Sequence, residues 1–565
     1  MAEISLTGFN ITKILDSLSS KPVIRYIVYS SSIIFFFALI LIPPVLGILL
    51  KWNLMGQVFE DPNLTARATS AISASFLIAI FVSVVDVAAG LPMAWFIVRG
   101  KARWLSIIDT LADIPFVVPT VTLGYSLLLF WNSSEGISSL FGSSLISPGW
   151  LLIILLHFTF SYPVVVRVLV GALLDYKQEY EYAARTLGAS PLTADRTVTF
   201  PIVKPSIIAA FILAFARSIS ETGATFMVAG TFENGAVFIQ RMKEDFNNRL
   251  VSQASYEGSL VFASFILIAI SIAIFVGARL LSSKLKLPLK RVWPSTEKKL
   301  SGSGLVKTRN FSTLFIFFFL IIIPSLFVAL PASSAIVSGD LSRAISSLKP
   351  WDGFWQSLVL SYFVALVAML MNIVIGLPMA IMVARKRLGY GLSNILNALV
   401  DIPIIVPSVA LGASLRIFWD IFVFMPELWV LVFAHISITY PYFVRAMAAA
   451  IERVPIELEE ASRIFGGRPF TVFRTIILPL TKYSLFSGAI IMFTRSVAET
   501  GATFAVLSKG SGLRTTPVLL YDWVKGLGSS QPLATPLEIS LACGFLIIFS
   551  FIILLVLRVL TKEKR

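Results

Sequence analysis

The chain is poor in the residues that soluble enzymes rely on. Of its 565 residues, one is cysteine, Cys543, and two are histidine, His157 and His435. A single cysteine rules out an intrachain disulfide, and these three residues, far apart in apolar segments, do not make a Cys/His metal site. Charge is scarce as well: Asp, Glu, Lys and Arg make up 14% of the chain, well below the roughly 25% of a soluble domain. The Gly-x-x-x-x-Gly-Lys-Ser/Thr phosphate loop is missing. The stretch Gly302 to Thr308 ends in Lys-Thr but has Val306 where the second glycine belongs, so it cannot cradle a nucleotide. No nucleophile–base set or metal-ligand cluster stands out. The chain reads as neither an ATPase nor another enzyme, with no metal site and no cofactor of its own.

Apolar surface is abundant. Hydrophobic residues are 57% of the chain, and many runs reach the roughly 20 residues that span a hydrocarbon core. The expected fold is all-α and polytopic in a membrane; a β-barrel would show short alternating segments instead. About twelve spans are expected, at 24–50, 69–98, 105–131, 150–174, 206–230 and 257–283, then 311–335, 355–384, 393–420, 427–450, 484–508 and 536–560. The first run, Ile24 to Leu50, is too long for a signal-peptide core and reads as a retained span.

The formal net charge is +15. In a membrane protein this points to basic inward loops rather than to nucleic acid. Arg99, Lys101 and Arg103 follow the second segment. Lys284, Lys286, Lys290, Arg291, Lys298, Lys299, Lys307 and Arg309 follow the sixth, and Lys562, Lys564 and Arg565 end the chain. All fall on one side of a twelve-span count. That side is expected to be cytoplasmic, with both termini inside. The polar, basic stretch 284–310 reads as a cytoplasmic linker between a first half, 1–283, and a second, 311–565, each of six spans.

The halves repeat. Asp113-Ile114-Pro115 through Leu123-Gly124 recurs as Asp401-Ile402-Pro403 through Leu411-Gly412, and Gly90 to Ala94 recurs as Gly376 to Ala380. Arg217 to Phe226 recurs as Arg495 to Phe504, differing only at Ile219/Val497 and Ser220/Ala498. Six spans return the chain to its starting side, so the repeats are parallel about an axis along the membrane normal.

One polar loop is also doubled. Glu181-Tyr182-Ala183-Ala184 leads to Gly188, Pro191 and Pro201. Glu460-Ala461-Ser462 leads to Gly466, Pro469 and Pro479 at identical spacing. Gly188 suits a left-handed helix stop, and Ser190-Pro191 suits an N-cap with proline at the first helical position. A short helix should follow and be broken at Pro201. Two matched, capped loops on the same side suggest two equivalent docking sites.

Charges within the spans complete the set. Asp86, Asp113, Arg217 and Glu221 lie in the first half; Asp401, Arg495 and Glu499 lie in the second, with Asn372 in place of Asp86. Such residues mark internal pairs, gates or a substrate route. Asp86, without a charged counterpart, is read as near the cytosolic end. Arg217–Glu221 and Arg495–Glu499 are spaced i, i+4 and read as ion pairs. Arg167 and Arg445 are further buried cations. Pro115/Pro119 and Pro403/Pro407 should interrupt the third segments, as is tolerated where backbone lines a cavity or is covered by protein. His157 and His435 read as packed, hydrogen-bonded side chains.

The Glu-Ala-Ala, Gly, apolar-x-apolar-Pro loop resembles the cytoplasmic loop of permeases in binding-protein-dependent ABC importers. Over nearly the whole chain the resemblance is to two such permeases fused. It implies a coupling helix in each loop, seated on an ATPase that holds ATP and Mg. It also implies two ATPase subunits, a homodimer, and an extracytoplasmic substrate-binding protein. The sequence departs from the pattern at Tyr182, where the family has Glu, and at Ser462, where it has Ala. Fusion of the halves resembles the ferric iron and thiamine permeases. Glu221-Thr222-Gly223-Ala224-Thr225 and its copy at 499–503 resemble the permeases for sulfate, molybdate and tungstate. The resemblance implies a small ion or cofactor as substrate, with ferric iron placed slightly ahead. The alternative is an ion-coupled secondary transporter of two six-helix halves.

Overall fold

The computed structural model describes residues 11–100, 102–284, 293–346, 349–422, 424–508, 510–526 and 533–561. Lys101, Lys286, Lys290, Arg291 and the closing Lys562–Arg565 lie outside the described residues. All regular elements among those described are helical.

A short pre-membrane helix, α1 (Ile11–Ser20), leads into the first span, α2 (Pro22–Leu50). Then come α3 (Pro62–Arg99), α4 (Leu105–Leu111), α5 (Thr120–Asn132), α6 (Trp150–Asp175), α7 (Glu179–Thr186), α8 (Pro191–Ser220), α9 (Gly223–Val228), α10 (Gly235–Asn247) and α11 (Gln253–Lys284). A second pre-membrane helix, α12 (Pro294–Leu300), precedes the second copy. That copy comprises α13 (Ser303–Val337), α14 (Trp351–Ala384), α15 (Tyr390–Ile405), α16 (Ser408–Trp419), α17 (Glu427–Glu452), α18 (Ile456–Ile464), α19 (Pro469–Val497), α20 (Gly501–Val506), α21 (Thr516–Lys525) and α22 (Pro536–Thr561).

Ten of the described helices are long and apolar enough to cross a membrane, or eleven if α15 and α16, bent by 103°, count as one span. The third segments, 105–131 and 393–420, account for the difference from twelve. Each is interrupted at its proline pair, and α5, with 13 residues, is about 20 Å long against a core of about 30 Å. The fifth segments, expected at 206–230 and 484–508, begin earlier, in the loop itself, and end at Ser220 and Val497.

Pro201 and Pro479 do not stop those helices. A wider turn, Asp195–Thr199 or Phe473–Ile477, immediately precedes each and makes room for the ring. The same device precedes Pro43 and Pro324, at Phe36–Leu41 and Phe317–Ile322. There the carbonyl four residues before the proline has lost its helical donor. Ser437 donates its hydroxyl to the Leu39 carbonyl (3.2 Å), and Thr159 donates to the Leu320 carbonyl (3.1 Å).

Both of those bonds cross between halves. The first span of each half packs on the other half: α2 lies against α14, α16 and α17, and α13 lies against α3, α5 and α6. Ser32 donates to the Ile375 carbonyl (2.5 Å), Phe36 stacks on Tyr440 at 5.6 Å, and Ser126 donates to the Pro324 carbonyl (2.7 Å). The two sequence halves are therefore interlocked rather than abutted.

Candidate functional site

The doubled loops have matching geometry. Gly188 and Gly466 adopt φ of +95° and +84°, the left-handed conformation that favours glycine. Ser190 caps the first turn of α8 by accepting from the Thr193 amide (3.3 Å). Leu187 and Phe465, which lead into the glycines, are 89% and 90% exposed, so each loop presents a bare apolar tip. Tyr182, Ala183, Glu460 and Ala461 are exposed beside it, as are Pro191, Pro201 and Pro479; Ala184 and Pro469 are half-buried. Glu181 instead turns inward and pairs with Arg99 at the end of α3 (2.8 Å). Its counterpart Glu459 pairs with Arg385 at the end of α14 (2.8 Å). These carboxylates anchor the loops to the bundle.

At the other end of α8 and α19 the helices break within the repeated Glu-Thr-Gly-Ala-Thr stretch. Glu221 accepts from the Ala224 amide (2.8 Å) and Glu499 from the Ala502 amide (3.0 Å), so each glutamate caps the short helix beyond the break. Each histidine bridges its break. His157 holds Ser218 and Thr225, both at 2.9 Å, and His435 holds Ser496 (2.7 Å) and Thr503 (2.9 Å).

The two breaks meet. Gly223 abuts Thr500, and Gly501 abuts Thr222. A Cβ on Gly223 would lie 2.6 Å from Thr500 Cβ and 3.1 Å from Thr120 Oγ1; one on Gly501 would lie 2.7 Å from both Thr222 Cβ and Ser408 Oγ. Thr120 donates to the Ala498 carbonyl (3.1 Å), and Thr222 and Ser408 share a hydrogen bond (3.0 Å). Four hydroxyls and two glycines, half from each repeat, thus form a buried collar with no space at its centre. Phe226, Phe504 and Tyr521 seal it on the face away from the loops, their rings 5.8–5.9 Å apart. Beyond them lies a cavity of about 320 Å³, lined by Lys243, Glu244, Asn247, Tyr521, Asp522 and Lys525 among others.

The buried charges flank this collar unequally. Arg495 pairs with Glu499 at 2.7 Å, as its spacing predicts. Arg217 departs from that expectation: its Nε donates to the Phe160 carbonyl (3.0 Å) and its guanidinium lies 3.8 Å from the Phe160 ring centroid. The chain leaves helical geometry at Glu221, whose side chain turns to its cap. Asp113 takes a bidentate pair from Arg167 (2.6 and 2.5 Å), and Asp401 takes one from Arg445. These pairs pin the interrupted third segments to α6 and α17. Asp86 lies well inside its helix. It is fully buried, about 20 Å along α3 from Arg99, and accepts from the Ser161 hydroxyl. Asn372 makes the equivalent contact to Thr439 (2.9 Å).

A family profile described as "Binding-protein-dependent transport system inner membrane component" matches twice, at residues 86–287 and 372–562. The chain belongs to this family. The matched segments start at repeat-equivalent positions, Asp86 and Asn372, so one chain carries two permease units. Single-unit relatives align with part of it. The sulfate transport system permease protein CysT of Salmonella typhimurium is 29% identical over 255 residues, 42% of this chain and 87% of the relative. A probable sulfate transport system permease protein of Helicosporidium is 30% identical over 264 residues, 45% of this chain and 92% of the relative. The molybdenum transport system permease protein ModB of Haemophilus influenzae is 29% identical over 220 residues, 36% of this chain and 93% of the relative. The chain is thus a multi-pass inner-membrane permease of the ABC importer type, with its two units fused.

Sequence reasoning missed several parts of this permease. Thr120 and Ser408 were visible only as residues after a proline, and Phe226 and Phe504 as the ends of a repeated stretch. Tyr521 carried no signal at all. Contacts of α1 and α12 with the loops were also unforeseen. Glu297 of α12 accepts from the Thr193 hydroxyl and from Arg196 (2.5 Å). Its carboxyl is held below its ordinary value by the Thr193 bond first, with the Trp293 amide and Arg196 adding to it against burial.

Proposed function

We propose that this permease imports a tetrahedral oxyanion, sulfate or molybdate in type, delivered by an external binding protein. Both termini and both loops face the cytoplasm, and Leu187 and Phe465 mark the seats of two ATPase subunits that hold ATP and Mg. The collar is the gate. ATP-driven movement of the loops would act through α8 and α19, which run unbroken from loop to collar, and would separate Thr222–Gly223 from Thr500–Gly501. The observation that carries this reading is that continuity: one helix in each half joins a docking loop to the crossing point.

The substrate moves from ferric iron, which the sequence placed slightly ahead, to an oxyanion. The relatives named above are sulfate and molybdenum permeases. The chemistry of the crossing agrees. The hydroxyls of Thr120, Thr222, Ser408 and Thr500 can donate to an anion, whereas Glu221 and Glu499 are engaged in capping and Glu499 and Arg495 in an ion pair with each other. The test is uptake into proteoliposomes carrying the permease, its ATPase and its binding protein, with sulfate, molybdate, tungstate, ferric iron and thiamine compared. ATP-dependent uptake of ferric iron or thiamine in place of the oxyanions would overturn the substrate. Uptake driven by an ion gradient without the ATPase would favour the secondary-transporter alternative.

A further inference from the structure

We propose that α1 and α12 are struts, each positioning the coupling loop that belongs by sequence to the other half, and that Asp16, Ser19, Glu297 and Ser301 are positioning residues for coupling ATP hydrolysis to transport. The proposal rests on the reading of the doubled loops as ATPase seats.

The contacts occur twice. The Leu192 amide donates to Ser301 Oγ (3.1 Å), and the repeat-equivalent Phe470 amide donates to Ser19 Oγ (3.1 Å). Both amides are second in a helix that begins with proline, so both need an acceptor from outside the helix. The next residue repeats the pattern. Thr193 donates its hydroxyl to Glu297, and Thr471 donates to Asp16 (2.6 Å). In the first loop, Arg196 adds two bonds to Glu297, at 2.5 and 3.0 Å.

The sequences that make these contacts share a Leu-Ser and otherwise differ: Ile-Thr-Lys-Ile-Leu-Asp-Ser-Leu-Ser-Ser in α1 and Pro-Ser-Thr-Glu-Lys-Lys-Leu-Ser in α12 with the Ser301 that ends it. Each nonetheless supplies a carboxylate followed by a serine, Asp16 with Ser19 and Glu297 with Ser301, to the same amide and the same hydroxyl. The two segments hold the same place before the first span of each repeat, and although the rest of their sequences differ, both copies keep this set of contacts at the loop.

The connectivity gives those contacts a use. Strut α1 continues into α2, which packs on the second half, and braces the second half's loop. Strut α12 continues into α13, which packs on the first half, and braces the first half's loop. Each loop is therefore tied to a span that enters its half from the other end of the chain. Movement of a loop pulls on that span as well as on its own helix, α8 or α19. A loop freed from its strut could still bind an ATPase but would transmit less of the stroke.

The experiment measures substrate transported per ATP hydrolysed in proteoliposomes, using the full permease, its ATPase and its binding protein. The variants are D16N, E297Q, S19A, S301A and the D16N/E297Q double, with E297D as the conservative control. Cysteines at Leu187 and Phe465, in a C543S background, report whether the loops still crosslink to the ATPase. The expected result is retained crosslinking with transport per ATP falling about tenfold in E297Q, the scale of losing a charge-assisted hydrogen bond. A larger fall is expected in the double, and near-normal coupling in E297D. Crosslinking retained with an unchanged ratio in the double variant would overturn the struts while leaving the seats intact. Absence of crosslinking in the parent protein would overturn the seats and the struts with them. If E297Q lowers the ratio only in proportion to a lower melting temperature, and S19A and S301A change nothing, the role is merely structural and the proposal fails.

Discussion

The collar makes a prediction that can be worked from distances. A methyl group at Gly223 would sit 2.6 Å from Thr500 Cβ, and one at Gly501 would sit 2.7 Å from Thr222 Cβ. Carbon atoms prefer 3.5–4.0 Å, so each contact overlaps by about 1 Å. A Cβ is fixed by its own backbone, so no rotamer change of the threonine can move that atom aside. Relief must come from separating the two halves at the crossing. Overpacking of this kind costs about 1–3 kcal/mol, a factor of roughly 5 to 150 in the balance between closed and open crossing. Gly223→Ala and Gly501→Ala should therefore favour the open gate. The assay is efflux of labelled sulfate or molybdate from loaded proteoliposomes without ATP, beside the melting temperature of the purified protein. Leak should rise in both variants, and Thr500→Gly, which removes the Cβ in the contact, should reduce the leak of Gly223→Ala, because contacting residues couple in a double-mutant cycle. Wild-type tightness in both glycine variants, at wild-type stability, would refute a closed crossing at this level. Leak that Thr500→Gly does not reduce would place the cause elsewhere than the 2.6 Å contact.

The remaining predictions concern the loops and their anchors. Cysteine labelling at Leu187 and Phe465 should be fast from the cytoplasmic side and absent from outside intact cells; the reverse would invert the proposed topology. Thr193 is a poor reporter, being 9% exposed. Replacing Gly188 or Gly466 with valine should strain the left-handed turn by about 1 kcal/mol or more and lower transport per ATP hydrolysed. The Gly466 change should do more harm, since Glu460 stands where the family has its glutamate and Tyr182 does not; equal, wild-type transport in both would sink the idea. Arg385→Met should leave the Glu459 carboxylate buried without its main partner, at a cost of about 3–5 kcal/mol, and lower the melting temperature more than Arg463→Met, whose pair with Glu459 is longer and more exposed.

Much of this permease was legible in the sequence because its determinants are local or repeated. Long apolar runs dictate membrane helices whatever their neighbours, since backbone polar groups in lipid must bond within the segment. Glycine at 188 and 466 reported its own φ, and Ser190-Pro191 reported its own cap, because both effects act within one turn. Duplication told a recurring loop from an ordinary connection without any structure. Proline was read less well. Pro115/Pro119 and Pro403/Pro407 break their segments as expected, but Pro201 and Pro479 are absorbed by a wider turn. Which outcome follows depends on whether the surroundings satisfy the freed carbonyl and allow the helix to widen.

What only the tertiary structure decided is everything set by contact between distant residues. Arg217 and Arg495 sit in nearly identical decapeptides, yet one pairs with its glutamate while the other takes the Phe160 carbonyl; spacing along a helix says nothing of a partner on another helix. The interlocking of α2 and α13 with the opposite halves, the struts from α1 and α12, and the meeting of Thr222–Gly223 with Thr500–Gly501 join residues more than a hundred positions apart. A parallel repeat implies an axis between its halves, but where two copies touch on that axis depends on how closely their backbones approach. That approach was settled by glycine, threonine and serine side chains whose positions no local pattern encodes.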